Sequence, residues 1–377
     1  LENLDGTFNS KANQTTDHKG TTDTEAAIIS INEPGFTFDE DNANNVKNLT
    51  INGNGTTVIK LYYTRNTDVK YTVEYYLQNV EKTEFVLKAD ATENGLTGKT
   101  GATVSAIIKS FVGFTHDAEN VNAKESGAIE GNGSLVLKVY YTRNTYTVTL
   151  NKQGGTEGTS TINALYESKI EAITIPSLVG HTFAGYFTNT NGQGTRYFDE
   201  HGAVDSKLTN WTITSNLELY AYFTANTYNV VLNSKANGGE TDDQNIEVVY
   251  GETYLSLAGV TAAKIGYVFD GWFTEIAGGK EVKSTDRVEI TEDQTLYAHF
   301  TANTFKVSFN ANNGTVDVTE ITVTYDSKYG TLPTPTRTGY EFAGWFTSLT
   351  EGTKVEEKTL VKTASNHTLY AHWTPKG

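Results

Sequence analysis

The chain has 377 residues, with 29 Lys and Arg against 45 Asp and Glu, for a formal net charge of −16. So acidic a surface repels phosphate backbones, which argues against nucleic-acid binding. Cys and Met are both absent, which excludes disulfides, thiolate nucleophiles and cysteine-ligated zinc. The lack of both oxidisable residues leans toward an extracellular setting. No run is long and apolar enough to be a membrane-spanning helix, and no signal peptide stands in these residues. The opening LENLDG has no initiator Met, which points to a fragment or a processed form. The length suits two to five domains. A hydrophobic content of 37% with 22 Tyr points to several small β units rather than one large core.

In chain order, the first pattern is a repeat that closes on LYYTRNT (61–67) and again on VYYTRNT (139–145). GFTFDEDNAN (35–44) matches GFTHDAENVN (113–122), and Gly35 and Gly113 are 78 residues apart. The second copy begins with an alternating strand, YTVEYYLQN (71–79), whereas LENLD (1–5) aligns only with LQNVE (77–81). Residues 1–67 therefore read as a unit lacking its first strand, which leaves an unpaired edge. Residues 68–145 read as a full unit.

A second repeat type follows three times, over 146–226, 227–303 and 304–377. It starts TYTVTLN, TYNVVLN or TFKVSFN and centres on GHTFAGYFT, GYVFDGWFT or GYEFAGWFT. It ends LELYAYFTANT, QTLYAHFTANT or HTLYAHWTPKG. Starts and ends alternate with period two and are rich in Val, Tyr, Phe and Thr, the pattern of half-buried strands. QGG, NGG and NNG mark turns between them. A helical turn is expected near 165–172, 250–258 and 325–332, with 20–30 and 101–110 as counterparts in the first type. TRNT and TANT lead straight into the next strand without a linker, so bending between units should be restricted.

The GYxFxGWF centre, the upstream YG or YDS segment and the terminal LYAHF/W resemble the Listeria–Bacteroides repeat, the B-repeat of internalin-like surface proteins. VEYYLQ with a middle Gly-Phe and a terminal V-YY resembles the mucin-binding-protein-like (MucBP) repeat. These resemblances imply a mainly β (α+β) chain of tandem small β-grasp-like domains. With the tight junctions they imply an elongated rod, each unit roughly 30 Å across. They also imply a non-enzymatic, secreted or cell-wall-attached bacterial surface protein, with adhesion to host or cell-surface glycans or proteins in some members.

Several residues have the chemistry of a site. Tyr186, Trp272 and Trp345 align, and an aromatic face stacks on sugars, though a small core uses such rings too. Asp39, Asp41, Asp117 and Glu119 lie in acidic loops that repeat and offer oxygen ligands to Ca²⁺, but EF-hand spacing is absent. Lys11 aligns with Lys88 and Asn54 with Asn132, the residue types of a Lys–Asn isopeptide link. His299 and His372 are matched by Tyr222, which argues against a metal or catalytic role. No Ser-His-Asp set or phosphate loop is recognisable. The leading expectation is a non-enzymatic stalk without cofactor that projects a functional domain. An adhesin module and a subunit joined by strand donation are the alternatives. A monomer is expected unless strands are donated.

Overall fold

A computed structural model describes residues 1–377. Strands take up 41% of the chain and helix 2%, so the protein is a mainly β chain of several small sheets. It divides into two compact units. One contains residues 1–153, 158–175 and 185–221, and the other residues 154–157, 176–184 and 222–377.

In the second unit two five-stranded sheets have the same order. The strand Thr227–Asn233 lies between Gln244–Val249 and Gln294–Ala302, and Tyr267–Phe273 and Glu281–Val282 complete the other side. Thr304–Asn310, Glu320–Thr324, His367–Pro375, Tyr340–Phe346 and Lys354–Val355 repeat this arrangement. First and last strands pair in parallel, Leu232 opposite Leu296 and Phe309 opposite Leu369. Alternation in the sequence selects the buried face. Val230 and Leu232 on the first strand and Leu296 and Ala298 on the last are buried, as are Val307, Phe309, Leu369 and Ala371 in the next repeat.

The first unit carries a related parallel pairing, Val148 opposite Leu217 and Leu150 opposite Leu219. Its other large sheet pairs Val69–Gln78 in parallel with Val136–Arg143, which is flanked by Phe114–His116. Val73, Tyr75, Leu137, Val139 and Tyr141 fill that core. Residues 1–67 form only two three-residue strands, Phe36–Phe38 and Tyr63–Arg65, with no parallel partner for the latter. Tyr63 is their one buried hydrophobic residue.

The anticipated helical turns mostly do not form. Only Leu255–Leu257 makes a 3₁₀ turn within those windows. Residues 103–105 of the 101–110 window are a strand paired with Ser126–Ala128. Tyr166 and Tyr325 instead open turns whose second residues, Glu167 and Asp326, have φ of 58° and 60°. A left-handed residue stops a helix before its first turn closes.

A single residue separates the last strand of one repeat from the first strand of the next: Asn144, Asn226 or Asn303. Its backbone is bonded on both sides. Asn303 donates its N–H to the Gly266 carbonyl and accepts from the Tyr325 N–H, both at 2.9 Å. Asn226 does the same with Gly180 and Tyr250, and Asn144 with Gly113 and Tyr166. Asn66 bonds Gly35 and Thr100 in this way. Arginine adds a second tie in the first unit. Arg65 Nε donates to the Glu2 carbonyl and Arg143 Nε to the Gln78 carbonyl, while their Nη1 atoms reach the Thr100 and Tyr166 carbonyls.

Candidate functional site

The GYxFxGWF centre is the most distinctive feature of the sequence. Its two glycines do different things. The second, Gly271 or Gly344, sits where the register with the last strand shifts, with φ of 150° and 135°. That bulge re-aims the residues that follow. Trp272 then stands opposite Ala298, and Trp345 opposite Ala371. A large ring over a small residue fills the core without overpacking.

The three aligned rings are core residues. Tyr186, Trp272 and Trp345 are 0%, 5% and 1% exposed. Trp272 Nε1 donates to the Val260 carbonyl at 3.0 Å, and Trp345 Nε1 to the Pro333 carbonyl at 2.7 Å. Their faces meet protein: Trp272 packs on Phe269, and Trp345 on Phe309 and Phe342. No ring face of the three is presented for stacking on a sugar. Burial pushes the Tyr186 phenol up to about 12.

The following residue is half-buried and turns to the other face. Phe273 stacks on His299 with centroids 4.0 Å apart, and Phe346 on His372 at the same distance. Each imidazole Nε2 lies 2.9 Å from a loop carbonyl, of Glu275 or Ser348. Those bonds hold the loop after the centre against the last strand.

The first glycine faces the neighbouring repeat. A Cβ on Gly266 would lie 2.4 Å from the Tyr325 ring, and one on Gly180 would lie 2.2 Å from the Tyr250 ring. Gly113 meets Tyr166 in the same way at 2.1 Å. At Gly35 no ring is involved: a Cβ would meet the Gly131 Cα at 2.5 Å and the side chain of Thr100, whose hydroxyl donates to the Gly35 carbonyl at 2.8 Å. The residue after each glycine adds an aromatic edge: Phe114 on Tyr166, His181 on Tyr250 and Tyr267 on Tyr325, with centroids 6.0, 5.4 and 5.8 Å apart. Tyr267 also donates its hydroxyl to Asp326 at 3.0 Å, and Asp326 pairs with Lys362. The lysine hydrogen bond holds the Asp326 carboxyl below its ordinary range.

The other candidates are used locally. Asp39 and Asp117 each accept a bond from an asparagine amide three residues on, Asn42 or Asn120, at 3.0 Å. Asp41 and Glu119 are exposed. No three His, Asp or Glu side chains converge as a metal site would require. Lys88 pairs with Asp90 at 3.0 Å and Asn132 caps its own turn through the Ser134 N–H. Lys11 and Asn54 are exposed, and Asn54 accepts from Thr56. What the sequence did not reveal is the tyrosine-on-glycine contact. Its signal was a Tyr at 166, 250 and 325, always the second residue after the LYE, VYG or TYD step begins.

Tandem small mixed sheets, each centred on a buried Trp or Tyr beside a glycine bulge, define a repeat class. The chain belongs to the Listeria-Bacteroides repeat domain family, which matches residues 146–222, 228–299 and 305–372, more than half of its length. It is 31% identical over 242 residues to a putative membrane protein of Evansella cellulosilytica, covering 64% of this chain and 33% of that one. It is 35% identical over 136 residues to internalin H of Listeria monocytogenes, covering 36% of this chain and 24% of that one. A putative Gly-rich membrane protein of Evansella cellulosilytica is 29% identical over 247 residues, 64% of this chain and 26% of that protein. The chain thus spans a quarter to a third of the length of these relatives. No helix of the protein is long and apolar enough to cross a membrane.

Proposed function

We propose that these repeats are a non-enzymatic spacer of a bacterial cell-surface protein, holding a functional domain away from its anchor. The observation that carries this reading is the junction. One asparagine links two repeats, and its backbone is bonded to both. Such a connection has few free dihedrals, so successive repeats should hold their relative orientation. The similarity to internalin H and to proteins named as membrane proteins supports placement at the surface. The net charge of −16 would oppose self-association there. Residues 1–145, in this reading, are two further units of MucBP-like type. Small-angle scattering of the whole chain tests the proposal. A pair-distance distribution with a long tail, well beyond that of a sphere of equal mass, is expected. A compact particle would remove the spacer reading.

A further inference from the structure

We propose that the cavity beside Trp211 binds a small neutral molecule with an apolar body and one hydrogen-bond acceptor. The cavity has a volume of about 110 Å³. Ile162 and Ala164 of the strand Thr161–Leu165, Ile170 and Ala172 of the segment that follows, and Trp211 line it. Trp211 is 1% exposed, and its indole Nε1 has no hydrogen-bond partner. A buried N–H without an acceptor is uncommon and costly. The other three indoles are all satisfied: Trp272 donates to the Val260 carbonyl, Trp345 to that of Pro333 and Trp373 to those of Ala311 and Asn312. Trp211 is held in place by its backbone, whose N–H donates to the Ser168 carbonyl at 2.9 Å and whose carbonyl accepts the Glu167 N–H at 2.7 Å. Its ring packs on Tyr197 with centroids 5.9 Å apart.

The other two repeats are built differently at this place. The same turn bond runs from Gly251 to the Val288 carbonyl and from Asp326 to the Val361 carbonyl, so Trp211 aligns with two valines. The bridges of Lys169, Thr253 and Lys328 and the parallel registers align Ile170 with Tyr254 and Tyr329, and Leu217 with Gln294 and His367. Those polar residues satisfy each other. The Tyr329 hydroxyl lies 2.7 Å from His367 Nε2, and Tyr254 donates to Gln294 Oε1 at 3.4 Å. In residues 146–226 both members of the pair are aliphatic, and an indole donor is left over beside a mainly apolar wall. The donor calls for an acceptor and the wall for an apolar body. Lys169 and Glu171, both exposed, line the same cavity with opposite charges, which favours a ligand without net charge. The volume is several times what one water needs and suits a molecule of about the size of one ring.

The four Trp of the chain give a direct test by ¹H–¹⁵N NMR of the indole N–H groups. Cyclohexanone, a neutral ring with one acceptor, is titrated into the whole chain at millimolar concentrations. The Trp211 indole signal, assigned by its loss in Trp211→Phe, should move downfield and saturate. The signals of Trp272, Trp345 and Trp373, already bonded to carbonyls, should stay where they are and serve as internal controls. Trp211→Phe keeps a ring and removes the donor, so saturation transfer to the cyclohexanone protons should show binding weakened at least tenfold. Ala172→Leu fills the cavity from its exposed side and keeps the donor; the Trp211 signal should remain dispersed, which reports a folded repeat, and no longer respond to the ketone. Three results would overturn the proposal: no saturable movement of the Trp211 signal, with cross-relaxation to water alone; movement of all four signals together; or unchanged binding in both variants. The outcome is independent of whether the repeats act as a spacer, because it reads one cavity and not the particle's extent.

Discussion

At the scale of single residues, Trp345 shows how much one side chain carries. The core of residues 304–377 holds nine buried residues, and Trp345 is the largest. Trp345→Ala should cost about 3–5 kcal/mol, the range for deleting a large buried aromatic. Urea denaturation followed by far-UV circular dichroism measures it, and a loss below about 1 kcal/mol would contradict core placement. Phenols give a second test. Tyr75 and Tyr186 are raised to about 12 chiefly by burial, and Tyr76 to about 12 chiefly by its hydrogen bond to Glu74. A folded pKa above the unfolded value means that the fold favours the neutral phenol. The stability from these groups is whole below pH 10 and is lost as pH rises toward 12. Absorbance at 295 nm should show a late-ionising tyrosine fraction that vanishes on denaturation.

At the scale of elements, the glycine turn is the informative part. Gly266 and Gly278 have nearly equal φ, 78° and 74°, but only Gly266 lies under a ring. Alanine at either position pays the left-handed penalty of about 1–2 kcal/mol. Gly266→Ala must also displace Tyr325, so it should be more destabilising than Gly278→Ala by about 1 kcal/mol or more. Equal losses in paired denaturation curves would mean the contact contributes nothing. The strands were legible because Val230, Leu232, Leu296 and Ala298 recur with period two in runs rich in Val, Tyr and Thr. The turn at the second glycine and the burial of Trp272 were legible because three copies could be aligned. The pairing of Gly266 with Tyr325 was not, since 59 residues separate them and neither residue type announces a partner. The helix expected at 325–332 failed because Asp326 takes a left-handed conformation, with its N–H bonded to the Val361 carbonyl, a long-range contact invisible to local periodicity. For the rings at 186, 272 and 345 a core role was the favoured reading, with stacking on a ligand as the alternative. Which of two adjacent aromatics faced inward depended on the bulge at the preceding glycine.

At the scale of the whole molecule, each repeat keeps its own core, so unfolding need not be one event. All four Trp lie in the last three repeats, at 211, 272, 345 and 373. Tryptophan fluorescence therefore ignores residues 1–145, whereas circular dichroism reports every strand. The two probes should give different urea midpoints; superimposable curves would indicate a single cooperative unit.

The parallel pairing of first and last strands has a mechanical consequence. In residues 227–303 the chain enters at one end of the parallel pair and leaves at the opposite end. Tension applied through the neighbours slides the two strands past each other, so the ladder bonds are loaded together and cannot be peeled one by one. Single-molecule stretching should then show each repeat yielding in one abrupt rupture, with the buried Trp–Ala pair on the adjacent strand released in the same step.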